Sequence, residues 1–297
     1  MNDALESMLA RYRPQSFADY ENALKEIVQE LALLGLWRSK FYQHASFYGG
    51  TALRIFHRLP RFSEDMDFSL LSPDADFDLV PHLAAIQTEL AAFGFEFEVQ
   101  RKIKSNPTAI ESAFIKGETQ VNLLTIGTPE SIRSKLPRLQ RVRIKLEVDT
   151  DPPPLAVHDV ETLLVPIPFQ VRLFTPPCLF AGKLHAVLCR AWRGRVKGRD
   201  FYDLVWYLGR EIPVHLAHLR ARMEQTGHWK AGEPLTLDAL RRRLSERFAA
   251  IDFDAARADV RPFIRAADEL ALWGRAFFDG LLPRLMAETK SKVNPVE

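Results

Sequence analysis

Residues 47–70 read FYGGTALRIFHRLPRFSEDMDFSL: two glycines and a threonine open a helix-like run, and two aspartates one residue apart sit in an apolar run. No other stretch constrains the fold as tightly. In a strand, side chains at i and i+2 share a face, so Asp65 and Asp67 point the same way with α-carbons about 6.6 Å apart. Two carboxylates on one face repel, and burial worsens the repulsion, so a cation is needed beside them. The plain alternative is an edge strand with solvated carboxylates. Against it stand the apolar flanks Met66, Phe68, Leu70 and Leu71, which predict an internal strand.

The glycines form the other half of the pattern. Gly49 and Gly50 permit a backbone path closed to residues with a β-carbon. A helix beginning near Thr51 presents free N–H groups and a positive dipole end to an anion. The Thr51 hydroxyl can add a donor to a phosphate, and Arg54, one turn on, a charge. A glycine pair alone is most often only a turn. The weight lies in the linkage, because one helix and one turn separate this cradle from the diacid.

The rest of the chain alternates strand and helix before becoming helical. Leu24, Ile27, Val28, Leu31 and Leu34 predict an amphipathic helix over 19–37, with Gly35 near its end. A further helix is expected over 79–93, then a strand at FEFEVQRKIK and a hairpin of SAFIK and QVNLLTI. RVRIKLEVDT alternates throughout, with Arg143, Lys145, Glu147 and Asp149 on one face. Helices are expected over 179–192, 201–208, 237–250 and 262–278. The fold class is α/β (α+β): a mixed sheet with flanking helices over residues 1–170, then an all-helical domain over 171–297.

Length and composition agree with a globular enzyme-sized protein. Its 297 residues are 47% apolar, enough for a real core. The net charge of +2 conceals two basic clusters, Arg190, Arg193, Arg195, Lys197 and Arg199, and Arg138, Arg141, Arg143 and Lys145. Each reads as a nucleic-acid contact or as a solvated face. Two cysteines without framework spacing, Cys178 and Cys189, argue against a disulfide-stapled secreted fold. No signal-peptide pattern opens the chain, and no apolar run approaches the roughly 20 residues that span a bilayer. No membrane partner is expected, and the location is read as cytoplasmic.

Mg²⁺ takes oxygen ligands and is usually held by one or two carboxylates plus substrate phosphates. Two such ions about 4 Å apart can activate an attacking hydroxyl and stabilise a leaving pyrophosphate. That arrangement commonly takes a third carboxylate from another strand. Glu147 is the first candidate and Asp149 the second, and the sequence does not separate them. An exposed strand face on which Lys145 pairs with the acids is the plain reading.

GGTALRIFHRLPRFSEDMDFSL closely resembles the signature of the AbiEii/AbiGii nucleotidyltransferases, toxins of type IV toxin–antitoxin and phage abortive-infection (phage-defence) systems. AGKLHAVLCRAWRGRVKGRDFYDLVWYL resembles that family's second block, a lysine on a helix followed by G-R-D-x-x-D-L. The resemblance implies the nucleotidyltransferase fold. It also implies that Gly49, Gly50 and Thr51 cradle the triphosphate, with Arg54 in support and Arg61 and Ser63 at the rim of the nucleotide site. Asp65 and Asp67 become the metal ligands, for Mg²⁺ or Mn²⁺, with Glu147 beside them. Lys183 becomes a phosphate contact brought from the helical domain, and Asp200 the family's downstream aspartate, of less defined role.

Without the resemblance, Lys183 reads as a solvated lysine beside the apolar stripe Phe180, Leu184, Val187 and Leu188. Asp200 reads as a helix N-cap, with Asp203 favouring the helix dipole. His185 and Cys189 are one turn apart, but no further ligand converges on them in sequence, and His215 and His218 are equally isolated.

The leading expectation is transfer of a nucleoside monophosphate from an NTP to an acceptor hydroxyl, with pyrophosphate released. Family members are thought to extend the 3′ end of tRNA, which makes RNA the expected acceptor and a cognate antitoxin encoded nearby the expected partner. A protein acceptor is the alternative within this chemistry. A non-catalytic nucleotide-, RNA- or protein-binding module is the alternative outside it. A kinase-type phosphotransferase is disfavoured by the lack of G-x-G-x-x-G and H-R-D motifs.

Overall fold

The computed structural model describes residues 3–102, 108–133, 141–191 and 196–288. Arg138, Arg193, Arg195 and the terminal KSKVNPVE lie outside them. The chain divides into two compact units. The first comprises Met1–Arg58, Phe62–Pro152 and His158–Leu173, and the second Leu59–Arg61, Pro153–Val157 and Phe174–Glu297.

The first unit opens with α1 (Asp3–Ala10) and α2 (Phe17–Arg38). Ser16 and Asp19 form a reciprocal capping box at the start of α2, which satisfies two N–H groups there. Then follow β1 (Ala45–Tyr48), α3 (Gly49–His57), β2 (Met66–Leu70), α4 (Val80–Ala92), β3 (Glu98–Arg101) and β4 (Ile110–Glu118). After α5 (Thr119–Thr125) and α6 (Glu130–Arg133) come β5 (Arg141–Asp149), β6 (His158–Leu163) and β7 (Phe169–Phe174). The seven strands make one sheet in the order β3-β4-β5-β2-β1-β7-β6. It is mixed: β1 runs antiparallel to β2, β2 parallel to β5, and β5 antiparallel to β4.

Alternation fixes which sheet face is dry. Met66, Phe68 and Leu70 of β2 and Val142, Ile144, Leu146 and Val148 of β5 are buried, in one core with Leu24, Ile27, Leu31 and Leu34 of α2. Phe47 of β1 stacks on Phe68 at 4.8 Å. Each such buried side chain is worth about 1.5–3 kcal/mol of apolar transfer. The intervening residues, Asp67 and Glu147 among them, therefore take the opposite face.

Gly35 lies near the end of α2, as its spacing predicts. A β-carbon there would lie 2.8 Å from the Ile86 α-carbon, so the glycine lets α2 and α4 approach closely. QVNLLTI is helix α5 rather than a strand, because β4 already has β3 and β5 on its two edges. Asn122 anchors that helix, its amide nitrogen donating to the carbonyls of Glu96 and Glu118. β6 and β7 were not expected at all, and β7 pairs parallel with β1.

The second unit is helical: α7 (Pro176–Cys189), α8 (Gly198–Gly209), α9 (Leu216–Gln225), α10 (Leu237–Ala249), α11 (Phe253–Val260) and α12 (Arg275–Leu281). The span 262–278 is not one helix. Two short 3-10 turns precede α12, whose N-cap is the extended Gly274. Phe201, Phe248, Phe253 and Phe278 form an aromatic core, with ring centroids 5.1–6.4 Å apart. Among the described residues, no helix is long and apolar enough to cross a membrane.

Candidate active site

The short connection between β1 and α3 brings the glycine turn against the diacid. Tyr48, the last residue of β1, pairs with Asp67 in β2, and α3 starts at the next residue. Gly49 has φ +83°, a left-handed conformation that glycine adopts without steric cost. A β-carbon at this position would lie 2.5 Å from Asp67 Oδ2. The backbone thus approaches the carboxylate as only a glycine allows. Gly50 follows in the first turn of α3, where Tyr48 makes no side-chain capping bond.

A further carboxylate on this face comes from β5. In the parallel pairing of β2 and β5, Asp67 is the partner of Glu147, and Ser69 the partner of Asp149. Neighbouring strands run about 4.8 Å apart, so the Asp67 and Glu147 side chains start side by side on one face. Lys145 Nζ lies 2.6 Å from Glu147 Oε2, and Ser112 Oγ donates to Oε1 at 3.4 Å. Asp149 Oδ1 instead accepts the Asp151 N–H at 3.1 Å, within the turn that follows the strand. Register thus places Glu147, and not Asp149, directly across from Asp67.

Asp65 sits one residue before β2, not inside it. Its carbonyl accepts the Thr51 hydroxyl, which ties α3 to the start of the strand. The Thr51 hydroxyl expected at a phosphate is thus directed to this carbonyl. Arg54 is turned to α2: its Nε lies 2.8 Å from Glu26 Oε1, and its guanidinium covers the Phe62 ring. Ser63 is buried, and its carbonyl accepts from the amide of Gln29, which also binds the Glu64 carbonyl. Gln29, fully buried on α2, holds this approach to the diacid, and nothing in the helical periodicity distinguishes it.

Behind Arg54 lies a buried pair of acids one turn apart on α2. Burial raises the Glu26 carboxyl against the pull of Arg54. Burial likewise pushes Glu30 up to about 7, although Arg11 pairs with it.

Arg61, Lys183 and Asp200 come together in the second unit, joined by Asp203. Arg61 grips both oxygens of Asp203 at 2.6 Å. Lys183 Nζ lies 2.7 Å from Asp203 Oδ2 and 2.7 Å from Asp200 Oδ1. Arg190 Nη1 closes the chain at 2.8 Å from Asp200 Oδ2. Asp200 and Asp203, three apart on α8, share the face that meets α7. Arg61 and Asp203 side chains are only 3% and 0% exposed.

Burial would raise the Asp200 carboxyl, but Lys183 and then Arg190 outweigh it and hold the group below its ordinary value. For Lys183, burial favours the neutral amine, and the attraction of Asp200 and Asp203 overrides it, raising the ammonium pKa. Of the basic run, Arg190 is thus engaged by Asp200, and Arg199 lies over the Phe263 ring at 4.2 Å. Asp203, which reads as a dipole-favouring helix residue, is the hub of the network.

Asp67 and Glu147, with Asp65 adjacent, offer only hard oxygen donors, which fits Mg²⁺ or Mn²⁺ and not a thiophilic metal. An anion-accepting helix start beside such a donor set can hold a metal–triphosphate complex.

Comparison with known proteins gives the family. No curated protein matches the chain. Two solved structures from Helicobacter pylori resemble it: one described as a proposed nucleotidyltransferase, the other as JHP933. Both are 16% identical with a TM-score of 0.48 and cover 87% of this chain, and 92% and 89% of their own. The profile of the nucleotidyl transferase AbiEii toxins of type IV toxin–antitoxin systems matches residues 31–277, which include both the glycine–diacid segment and the α7–α8 pair. The chain belongs to the AbiEii family of nucleotidyl transferase toxins.

Proposed function

We propose that the protein transfers a nucleoside monophosphate from an NTP to the 3′-terminal hydroxyl of tRNA, with Mg²⁺ as the metal. The observation that carries this reading is the cross-strand pair Asp67–Glu147 lying against the Gly49 turn. Asp67, Glu147 and Asp65 would hold the metal, whose presence lowers the pKa of the attacking hydroxyl and neutralises charge on the leaving pyrophosphate. The first N–H groups of α3 donate to phosphate oxygens and orient the α-phosphate for in-line attack. Ser112 and Lys145 fix the Glu147 rotamer before substrate arrives. The roles of Lys183 and Asp200 in the reaction are read from the resemblance alone.

An RNA acceptor is supported by the sheet face that carries these acids. Phe114 of β4 pairs with Lys145 of β5, and its ring is covered by Arg143 at 3.8 Å, Lys116 at 5.3 Å and Lys102 at 5.9 Å. Three cations around one ring can neutralise a phosphate backbone. The family implies a cognate antitoxin, encoded nearby.

Purified protein incubated with each labelled NTP, Mg²⁺ and total tRNA tests the reading, beside an Asp65→Ala/Asp67→Ala variant. Label on tRNA with wild type only is the expected result. Label on protein would change the acceptor and keep the chemistry. No transfer with nucleotide still bound would sink catalysis in favour of a binding module.

A further inference from the structure

We infer that His185, Cys189 and His228 form a binding site for a thiophilic divalent transition metal of the Zn²⁺ class, distinct from the oxygen-lined Mg²⁺ site. One ligand atom from each lies within 4.8 Å of the others. His185 and Cys189 share a face of the last two turns of α7, and His228 comes from the turn after α9. Both imidazoles converge on one hydroxyl: Thr226 Oγ1 is 2.9 Å from His185 Nε2 and 3.0 Å from His228 Nδ1.

Two imidazoles and a thiol suit Zn²⁺ and its softer neighbours, and offer nothing that Mg²⁺ prefers. Ligands at 2.0–2.3 Å from a tetrahedral ion stand roughly 3.5 Å apart. The three atoms must therefore draw in by up to about 1.3 Å, to which rotation of the exposed His228 ring contributes. A cavity of about 250 Å³ opens beside Cys189 and His228, with Glu246 in its wall, and leaves room for a carboxylate or a water as fourth ligand.

Protonation favours the site at His185 and opposes it at Cys189. Burial, then Arg222, push His185 down to about 4, so its ring has no extra proton to expel. Burial pushes the Cys189 thiol up to about 11 despite Arg243, Arg247 and Arg222. Binding breaks the S–H bond, forms the S–metal bond and releases one proton to solvent. Those guanidiniums repel any cation, so binding at this site requires a strong metal–thiolate bond. Once bound, it clamps the end of α7, the helix that carries Lys183, to the turn after α9.

The full-length protein, stripped of metal and kept in excess Mg²⁺, is titrated with Co²⁺ and with Zn²⁺. The expected result is one equivalent of Co²⁺ with a thiolate-to-cobalt charge-transfer band, and a raised melting temperature with Zn²⁺. Cys189→Ser should abolish the band, and His228→Ala should weaken affinity roughly tenfold or more. Absence of the band in wild type, or equal binding by Cys189→Ser, overturns the inference. Should a variant fail to fold, the wild-type band and its proton release decide alone.

Discussion

Asp67 stands directly across from Glu147 in the parallel pairing of the second and fifth strands. If the two share a metal, Asp67→Asn and Glu147→Gln each lower the transfer rate by about 100-fold or more, since several kcal/mol of charge stabilisation are lost. Melting temperatures should hold or rise as like-charge repulsion is relieved. Wild-type turnover by Glu147→Gln would shift the third ligand to Asp149.

Gly49→Ala tests the close approach of backbone to carboxylate. A side chain at φ +83° costs about 1–3 kcal/mol, and the added carbon meets Asp67 Oδ2. Urea denaturation should show that loss, together with a fall in activity that Gly50→Ala, in the first turn of the helix, does not match. Equal effects at both positions would argue against a special role for the turn.

Removing Asp203 leaves Arg61 buried without its counter-charge. Asp203→Ala should destabilise the protein by roughly 3–5 kcal/mol, and the paired change Arg61→Met/Asp203→Leu should recover most of that. Chemical denaturation of the three proteins checks the cycle. A single-variant loss below about 1 kcal/mol is what a surface pair would give.

Glu30 makes stability fall with rising pH. Its folded pKa of about 7 lies above the ordinary carboxylate value, so the folded state binds more protons between about 4.5 and 7. The contribution is complete below that window and is lost as pH rises through it, by roughly 3 kcal/mol. Glu30→Gln should flatten the slope and be the more stable protein at pH 8. An unchanged slope would place the titrating group elsewhere.

Much of the architecture around the diacid was legible because it is local. One helix links the glycine turn to Asp67, and strict alternation in RVRIKLEVD told which residues of the fifth strand face the core. Register was not legible: that Glu147 and not Asp149 stands across from Asp67 depends on how two strands far apart in sequence slide past each other. Asp203 looked like a dipole-favouring residue because its partners, Arg61 and Lys183, lie far from it in the chain. His228 was invisible for the same reason. QVNLLTI misled because its apolar content suits strand and helix alike, and only the occupied edges of the fourth strand decide against pairing.

The division of the chain has a practical consequence for dissection. Residues 59–61 and 153–157 belong to the helical unit, although the segments on either side of each belong to the sheet unit. A fragment ending at residue 173 would keep Arg61 but discard the aspartate that neutralises it. A fragment starting at residue 174 would strand Asp203 without its guanidinium. Hybrids between family members should therefore move the Leu-Pro-Arg tripeptide together with the helices rather than with the sheet, since three residues travel with a unit to which their flanks do not belong.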